Sequence, residues 1–465
     1  MKVWLTISVA VLGLTHARAQ QPNYAQRLFE ESLARQRAVM GETANDWTAF
    51  QDVMARLEPF LEQNAQGDRE AMRNEPDNDA AGLGMTTIYK IAREENRRNY
   101  EAERQRALSM LHELREAGMF EITGELPSIA VSMPPLENEP LDFTIHKFAS
   151  RARALARIQF ARMRVAEGDD AERLAALSET LALARLVAWN GSILDWLVGK
   201  SMAQEATGEF LLSLLLYPAT SDEALEQADR LIALEGIQRP PSFDLALLAG
   251  KYSVLDLIER THDRNGRFVR NDVSESALMW VDESEFEAPF ASRDELSAWM
   301  DDLCARIQAA ADATGEQAIG VFDSVRDLYE SHPNSPLAEF APPPNIVLIE
   351  QDTRIDLIGA RVVIAVERYR LRHDGTLPDS LEDLGPLLPE EVRTDPLSRT
   401  PWVYAAAPMT ADVENRPLGQ GAVAWPYSLR SAPLPGLEPA AHHRLNPNRG
   451  VPITRSIPAP LYDRP

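Results

Sequence analysis

Asp263, Asn265 and Asp272 are the side chains whose types and spacing come nearest to a working site. They lie in the loop Thr261–Asp272. Counted from Thr261, they take positions 3, 5 and 12 of a calcium-loop pattern, with Gly266 at position 6. Carboxylate and amide oxygens at alternate positions let a hard cation collect oxygen ligands while glycine makes the sharp turn. Thr261 stands where that pattern has aspartate, and Asp272 where it has a bidentate glutamate. The expectation is a weak calcium site and no other cofactor. The competing reading is that Asn265-Gly266 makes a turn.

The remaining motifs point away from catalysis. Gly199-Lys200-Ser201 has the ending of a phosphate-binding loop, but position 194 is leucine and the segment lies within an apolar helical stretch. A cradle of free backbone N–H groups is therefore not expected there. The histidines form no His-Glu-x-x-His pair, and the single cysteine, Cys304, is expected as buried packing. There is no Gly-x-Ser-x-Gly elbow and no Ser-x-x-Lys pair. Runs such as Asp301-Asp302 and Glu390-Glu391 read as solvated faces in so acidic a chain. Trp189 and Trp196 flank the turn Asn190–Ser192, where aromatics serve as core anchors or line a groove for a peptide or glycan.

Composition sets the partner class. The 465 residues carry a formal net charge of -24, which argues against nucleic-acid binding because no basic face is available to neutralise phosphates. Met1-Lys2 is a short positive start, Val3–Leu14 carries no charge, and Ala17-Arg18-Ala19 is a small-x-small cleavage site. This reads as a signal peptide over 1–19 that exports the chain to the periplasm or the exterior. No transmembrane anchor is expected after cleavage.

Helical periodicity dominates the chain beyond the cleavage site. The N-terminal helical region, 20–133, is predicted to hold helices over 24–40, 46–64 and 86–117, with Phe120–Leu126 as a short strand. The central region, 141–330, is predicted as an antiparallel helical hairpin array. Its helices span 143–166, 171–189, 193–216 and 221–235, separated by Glu167-Gly168-Asp169, Asn190-Gly191-Ser192 and a turn before Ser221. Ala154–Leu186 has the look of one tetratricopeptide-type hairpin, but no 34-residue period runs through the chain. The fold class is accordingly mainly α: an irregular α-bundle, partly tetratricopeptide-like, with a small C-terminal α+β module. A Pro-rich linker is expected over 331–345. The module over 346–430 combines an amphipathic helix, 352–372, with a hairpin of 402–406 and 422–427. A Pro-rich tail over 431–465, expected to be extended or disordered, ends the chain.

The module resembles the soluble part of type II secretion pseudopilins through Glu367, Tyr369, Gly375, Pro378, Leu381, Leu384, Asp395, Pro396, Pro401 and Tyr404. The likeness covers about residues 355–408 and implies a local fold. The Gly-Phe-Thr-Leu-Ile-Glu-like processing site that pseudopilins carry before their membrane helix is not present. The order of zones over about 145–408 is also similar to that of uncharacterised exported helical proteins of planctomycete-type bacteria. The cues are Ala166-Glu167-Gly168-Asp169, the helix Asp244–Arg260 leading to Thr261–Gly266, and Glu367–Leu384. That resemblance implies no activity. The sequence thus leads us to expect an exported non-enzymatic scaffold or binding protein whose partner is an envelope protein, a peptide or a glycan. The alternatives are an α/α-type hydrolase using carboxylates gathered in a concave face, and an accessory component of a secretion system.

Overall fold

The computed structural model describes residues 24–41, 45–74, 97–127, 129–130, 147–166, 168–189, 192–236, 241–263, 265–268, 289–315, 317–407, 426–430 and 453–454. The expected signal peptide over 1–19, Asp272 and most of the expected tail lie outside them. The described chain is mainly helical and ends in a small α+β unit, as the periodicity predicts. In order, the helices are α1 (Tyr24–Met40), α2 (Trp47–Asn74), α3 (Arg97–Glu116), α4 (Met119–Thr123), α5 (Lys147–Val165) and α6 (Asp170–Ala188). They continue as α7 (Ile193–Leu216), α8 (Asp222–Gly236), α9 (Pro241–Thr261), α10 (Arg293–Asp312), α11 (Gln317–Glu330) and α12 (Ile346–Arg372).

Short polar turns set the hairpins. The Asp169 carboxylate accepts the Glu172 N–H at 3.0 Å and starts α6, while Ser192 Oγ accepts the Asp195 N–H at 2.9 Å and starts α7. Such caps satisfy backbone donors that the first helical turn leaves open. Asp170 ties the start of α6 to the start of α8, its second oxygen accepting the N–H groups of Thr220 and Ser221, both at 2.8 Å. α5, α6 and α7 therefore pack against one another, while α8 returns to pack on α6 and on α12 rather than on α7.

Three stretches differ from expectation. Phe120–Leu126 does not form a strand. Gly118 takes φ of 79°, and the chain re-enters a short helix in which Met119, Phe120 and Thr123 are buried. Residues 65–74 continue α2 beyond the predicted end at residue 64. The Pro-rich stretch 331–345 is packed: Pro336–Phe340 is a 3-10 helix begun by Ser335, with Pro336, Leu337 and Ala338 buried. Proline at the first turn is already shaped for a helix, so the composition that suggested a connector here starts a folded element.

Two apolar clusters meet along α7 and α12, with the end of α6 also divided between them. One gathers α2 to α8 and residues 355–366 of α12. The other gathers α9, α10, α11, the 3-10 turn and Ile346–Leu348 at the start of α12. α7 divides likewise, with Trp196 in the second cluster and Met202 in the first. Between the clusters lies a polar layer. Lys200 Nζ of α7 stands 3.9 Å from a Glu350 oxygen of α12, and Arg354 Nη2 stands 3.6 Å from the other. α12 is thus a central shaft buried on nearly every side, and begins six residues earlier than its amphipathic pattern suggests.

A ladder of ion pairs holds α12 against α8. Arg361 Nε donates to Asp229 at 2.7 Å, Arg368 Nε to Asp222 at 2.8 Å, and Arg368 Nη2 to Glu226 at 2.8 Å. The Arg368 and Arg372 guanidinium groups hold the Asp222 carboxyl at about 2, below its ordinary 3.8. A lowered carboxylate contributes stability above its unfolded pKa, and that stability drains away as pH falls through the folded value. The Asp222 contribution is therefore full above about pH 4 and is lost as pH falls toward about 2. Glu179, Glu367 and Asp395 are shifted upward and act in the opposite sense. The comparison that isolates Asp222 is Asp222→Asn against wild type. The variant is expected to lose most of this acid-labile increment, read as urea midpoints from pH 6 to pH 2.

The C-terminal unit packs on the end of α12. β1 (Val403–Ala405) pairs antiparallel with β2 (Ser428–Arg430), Tyr404 standing opposite Leu429. Of the predicted 422–427, residues 422–425 lie outside the described residues; β2 begins at Ser428, after Tyr427, which is buried with its hydroxyl on Glu367 of α12. β3 (Ile453–Thr454) lies inside the tail expected to be extended or disordered, and differs from disorder there in joining β2 in parallel. Among the described residues no helix is long and apolar enough to cross a membrane.

Candidate functional site

The loop that carries the calcium pattern is a turn whose own backbone uses its carboxylate. One Asp263 oxygen accepts the N–H groups of Asn265 at 2.8 Å and Arg267 at 2.9 Å, and Gly266 N–H returns to the Asp263 carbonyl at 2.9 Å. These bonds, the Arg267 N–H foremost, hold the Asp263 carboxyl below its ordinary range. His262 and Phe268 bridge the base of the loop. Asn265 is exposed, and Asp272 lies outside the described residues. Among the described residues no group of three or more histidine, cysteine or acidic side chains is placed to hold a metal. Asp263→Ala is expected to lower the melting temperature by the same amount in calcium and in chelator, because its carboxylate holds the turn through backbone N–H groups. A loss seen only in calcium would make the loop a metal site.

The other residues singled out from sequence resolve into packing. Trp189 and Trp196 are buried rather than groove-lining. The Trp189 carbonyl accepts Ser32 Oγ at 2.9 Å and Gln36 Nε2 at 3.0 Å, which docks α1 on the α6–α7 turn. Trp196 packs edge-on against Phe243 at 5.6 Å. Cys304 is buried beside Met300, and burial pushes its thiol up to about 12, so it stays protonated at neutral pH. Lys200 lies mid-helix in the polar layer, where the amides that would hold a phosphate are already bonded within α7.

The chemistry that sequence reasoning missed is a set of buried arginine–carboxylate pairs joining the hairpins. Arg162 on α5 reaches Glu179 at 2.9 Å and Glu172 at 2.9 Å on α6, and its guanidinium lies 4.0 Å from the centre of the Phe120 ring. Arg164 on α5 forks onto Glu209 of α7. Arg185 on α6 meets Glu235 of α8 at 2.9 Å. Arg173 donates to the Tyr217 carbonyl at 2.6 Å and the Ser213 carbonyl at 3.2 Å, closing the last turn of α7. Burial raises the Glu179 carboxyl, with Arg162 opposing the rise.

The residues of the pseudopilin-like pattern gather around the end of α12. Tyr427 is fully buried, and its hydroxyl donates to Glu367 at 2.9 Å. Arg370 braces the same carboxylate at 2.8 Å and 3.0 Å, and burial raises the Glu367 pKa despite that cation. Tyr404 donates to the Pro378 carbonyl at 3.1 Å. Asp395 accepts the Leu397 and Ser398 N–H groups at 2.8 Å and 2.7 Å, folding its own loop. Each of these groups is engaged with its neighbours. Tyr427→Phe is expected to cost about 1–3 kcal/mol by leaving a buried carboxylate short of a donor, measured by urea unfolding.

Chemically, then, the described carboxylates of raised pKa sit apart: Glu179 between α5 and α6, Glu367 beneath Tyr427, and Asp395 in a loop. Each is held by a cation or by backbone N–H groups. Compared with protein-family models, curated proteins and solved structures, the chain matches none of them.

Proposed function

We propose that this chain is an exported, non-enzymatic helical scaffold or binding protein of the cell envelope. The observation that carries the non-enzymatic part is how the buried carboxylates are used. Glu209, Glu235 and Glu350 each face an arginine or lysine of another helix, and Glu367 faces Arg370 of its own, so they brace the helices instead of meeting at an open cleft. A general acid and base must stand together within reach of one substrate bond. The export part rests on the charged start, the apolar run and the Ala17-Arg18-Ala19 site.

Two measurements test the reading. Residues 1–40 fused ahead of a reporter that is active only outside the cytoplasm are expected to give activity and a processed N-terminus at Gln20. Cytoplasmic retention would remove the export claim. Purified protein incubated with cell-wall glycan and with an unfolded protein substrate is expected to release no product above that of Glu179→Gln. Turnover lost in that variant would favour the hydrolase instead.

A further inference from the structure

α12 carries arginine at three positions seven residues apart, Arg354, Arg361 and Arg368, which sets them along one face of the helix. Two of the three are used alike. Each turns Nε and Nη2, the side-on fork of its guanidinium, to the two oxygens of an aspartate on α8. Arg361 holds Asp229 at 2.7 Å and 3.2 Å, and Arg368 holds Asp222 at 2.8 Å and 3.2 Å. Two parallel N–H donors match the two oxygens of a carboxylate. Asp222 and Asp229 are also seven residues apart, so the two helices keep step. The next step along α8 falls on Gly236, its last residue, which has no carboxylate to offer.

Arg354 is the third rung. Its Nε and Nη2 are closed off from solvent, and no protein group accepts a hydrogen bond from either. The side chain is only 10 % exposed. The carboxylate it faces is Glu350, one turn back on α12, whose oxygen stands 3.6 Å from Nη2 and so beyond hydrogen-bond reach. Glu350 also faces Lys200 of α7 at 3.9 Å. Among the described residues, two cations thus share one carboxylate. Buried donors that meet no acceptor are costly, most of all on a charged group. An anion with two oxygens in one plane would satisfy both donors and offset the surplus charge.

We propose that the Nε–Nη2 fork of Arg354, backed by Lys200, binds a small free carboxylate, which does at this rung what Asp229 and Asp222 do at the other two. With so little of the side chain exposed, the ligand is of the size of formate or acetate. Arg354 supplies the shape selection, since its fork prefers two coplanar oxygens to a spherical ion, and Lys200 supplies charge without direction. The bound anion would tie α7 to α12 in the polar layer between the two apolar clusters. The site is independent of export and of the non-enzymatic reading.

The test uses the full chain, with formate as the probe. Sodium formate replaces sodium chloride at constant ionic strength while the melting temperature is followed. Wild type is expected to show a saturable rise of a few degrees, because a ligand bound by the native state stabilises it by mass action. Arg354→Lys keeps the charge but loses the fork, and is expected to show no rise. No rise in wild type, an unsaturable one, or an equal rise in Arg354→Lys would each overturn the proposal. Should the variant not fold, wild type alone decides through the carbon-13 line of labelled formate. The protein must broaden that line, and unlabelled acetate must sharpen it again where the same concentration of chloride does not. A line left sharp by the protein, or restored equally by chloride, would reject a carboxylate site.

Discussion

Glu209→Ala is expected to destabilise the chain by about 3–5 kcal/mol, enough to remove a large part of the stability of an ordinary domain. The Arg164 and Glu209 side chains are 4 % and 3 % exposed, and the guanidinium forks onto both carboxylate oxygens. Neither member can be rehydrated when the other is removed, so the penalty comes from the charge left behind rather than from a lost bond alone. The double variant Arg164→Met/Glu209→Met separates these contributions. It removes both charges, keeps the volume roughly constant, and is expected to recover most of the loss or to exceed wild type. Equilibrium urea unfolding of the three proteins decides the matter. A single-variant loss below about 1 kcal/mol would mean that water reaches the pair, contrary to its burial between α5 and α7.

The second large effect is at Gly199. On α7 this residue meets α6 so closely that an added Cβ would lie 2.5 Å from the Ala184 carbonyl oxygen and 2.6 Å from the Ala188 methyl. The atom in the way is backbone, so it cannot swing aside. Gly199→Ala raises helix propensity by about 1 kcal/mol, yet it must push apart two helices that carry the centre of the larger cluster. The net result is expected to be a loss of about 1–3 kcal/mol. Gly320→Ala on α11 is the control. Nothing stands within 4 Å of its added methyl, so propensity acts alone and a gain of about 0.5–1 kcal/mol is expected. If both substitutions stabilise, the α6–α7 contact is looser than the structure places it.

These two sites also show what a sequence can and cannot disclose. The helices on either side of Gly199 are readable, α7 to the residue, because Ser192 and the run of apolar positions mark their limits. The glycine itself reads from sequence as a fragment of a nucleotide loop; its actual use, a close helix crossing, depends on a partner helix whose angle no local pattern encodes. Arg164 and Glu209 are 45 residues apart. In a chain with so many charges, nothing local separates a buried pair from a solvated one. The pseudopilin-like residues are legible as a group but not as an arrangement: Tyr427, which holds them to α12 through Glu367, lies beyond the pattern. The Asp263 turn is readable as a turn from Asn265-Gly266 alone. The capping box Ser292–Glu295 that opens α10 is a clear local signal of a helix start, and the sequence reading did not use it.

The sharing of α12 between the two clusters has a consequence for the order in which the chain becomes a protein. Ribosomes deliver the N-terminus first, and single domains ordinarily close as they emerge. Here the first 345 residues include most of both apolar clusters, yet each lacks the face that α12 supplies. Arg361 and Arg368 must also reach back 132 and 146 residues to find Asp229 and Asp222. The growing chain therefore carries two open seams until nearly four-fifths of it has been made. α12 then behaves as a keystone, set last and locking both vaults in one step. A chain halted at residue 345 stays pliable enough to be threaded, and one that has passed residue 372 does not.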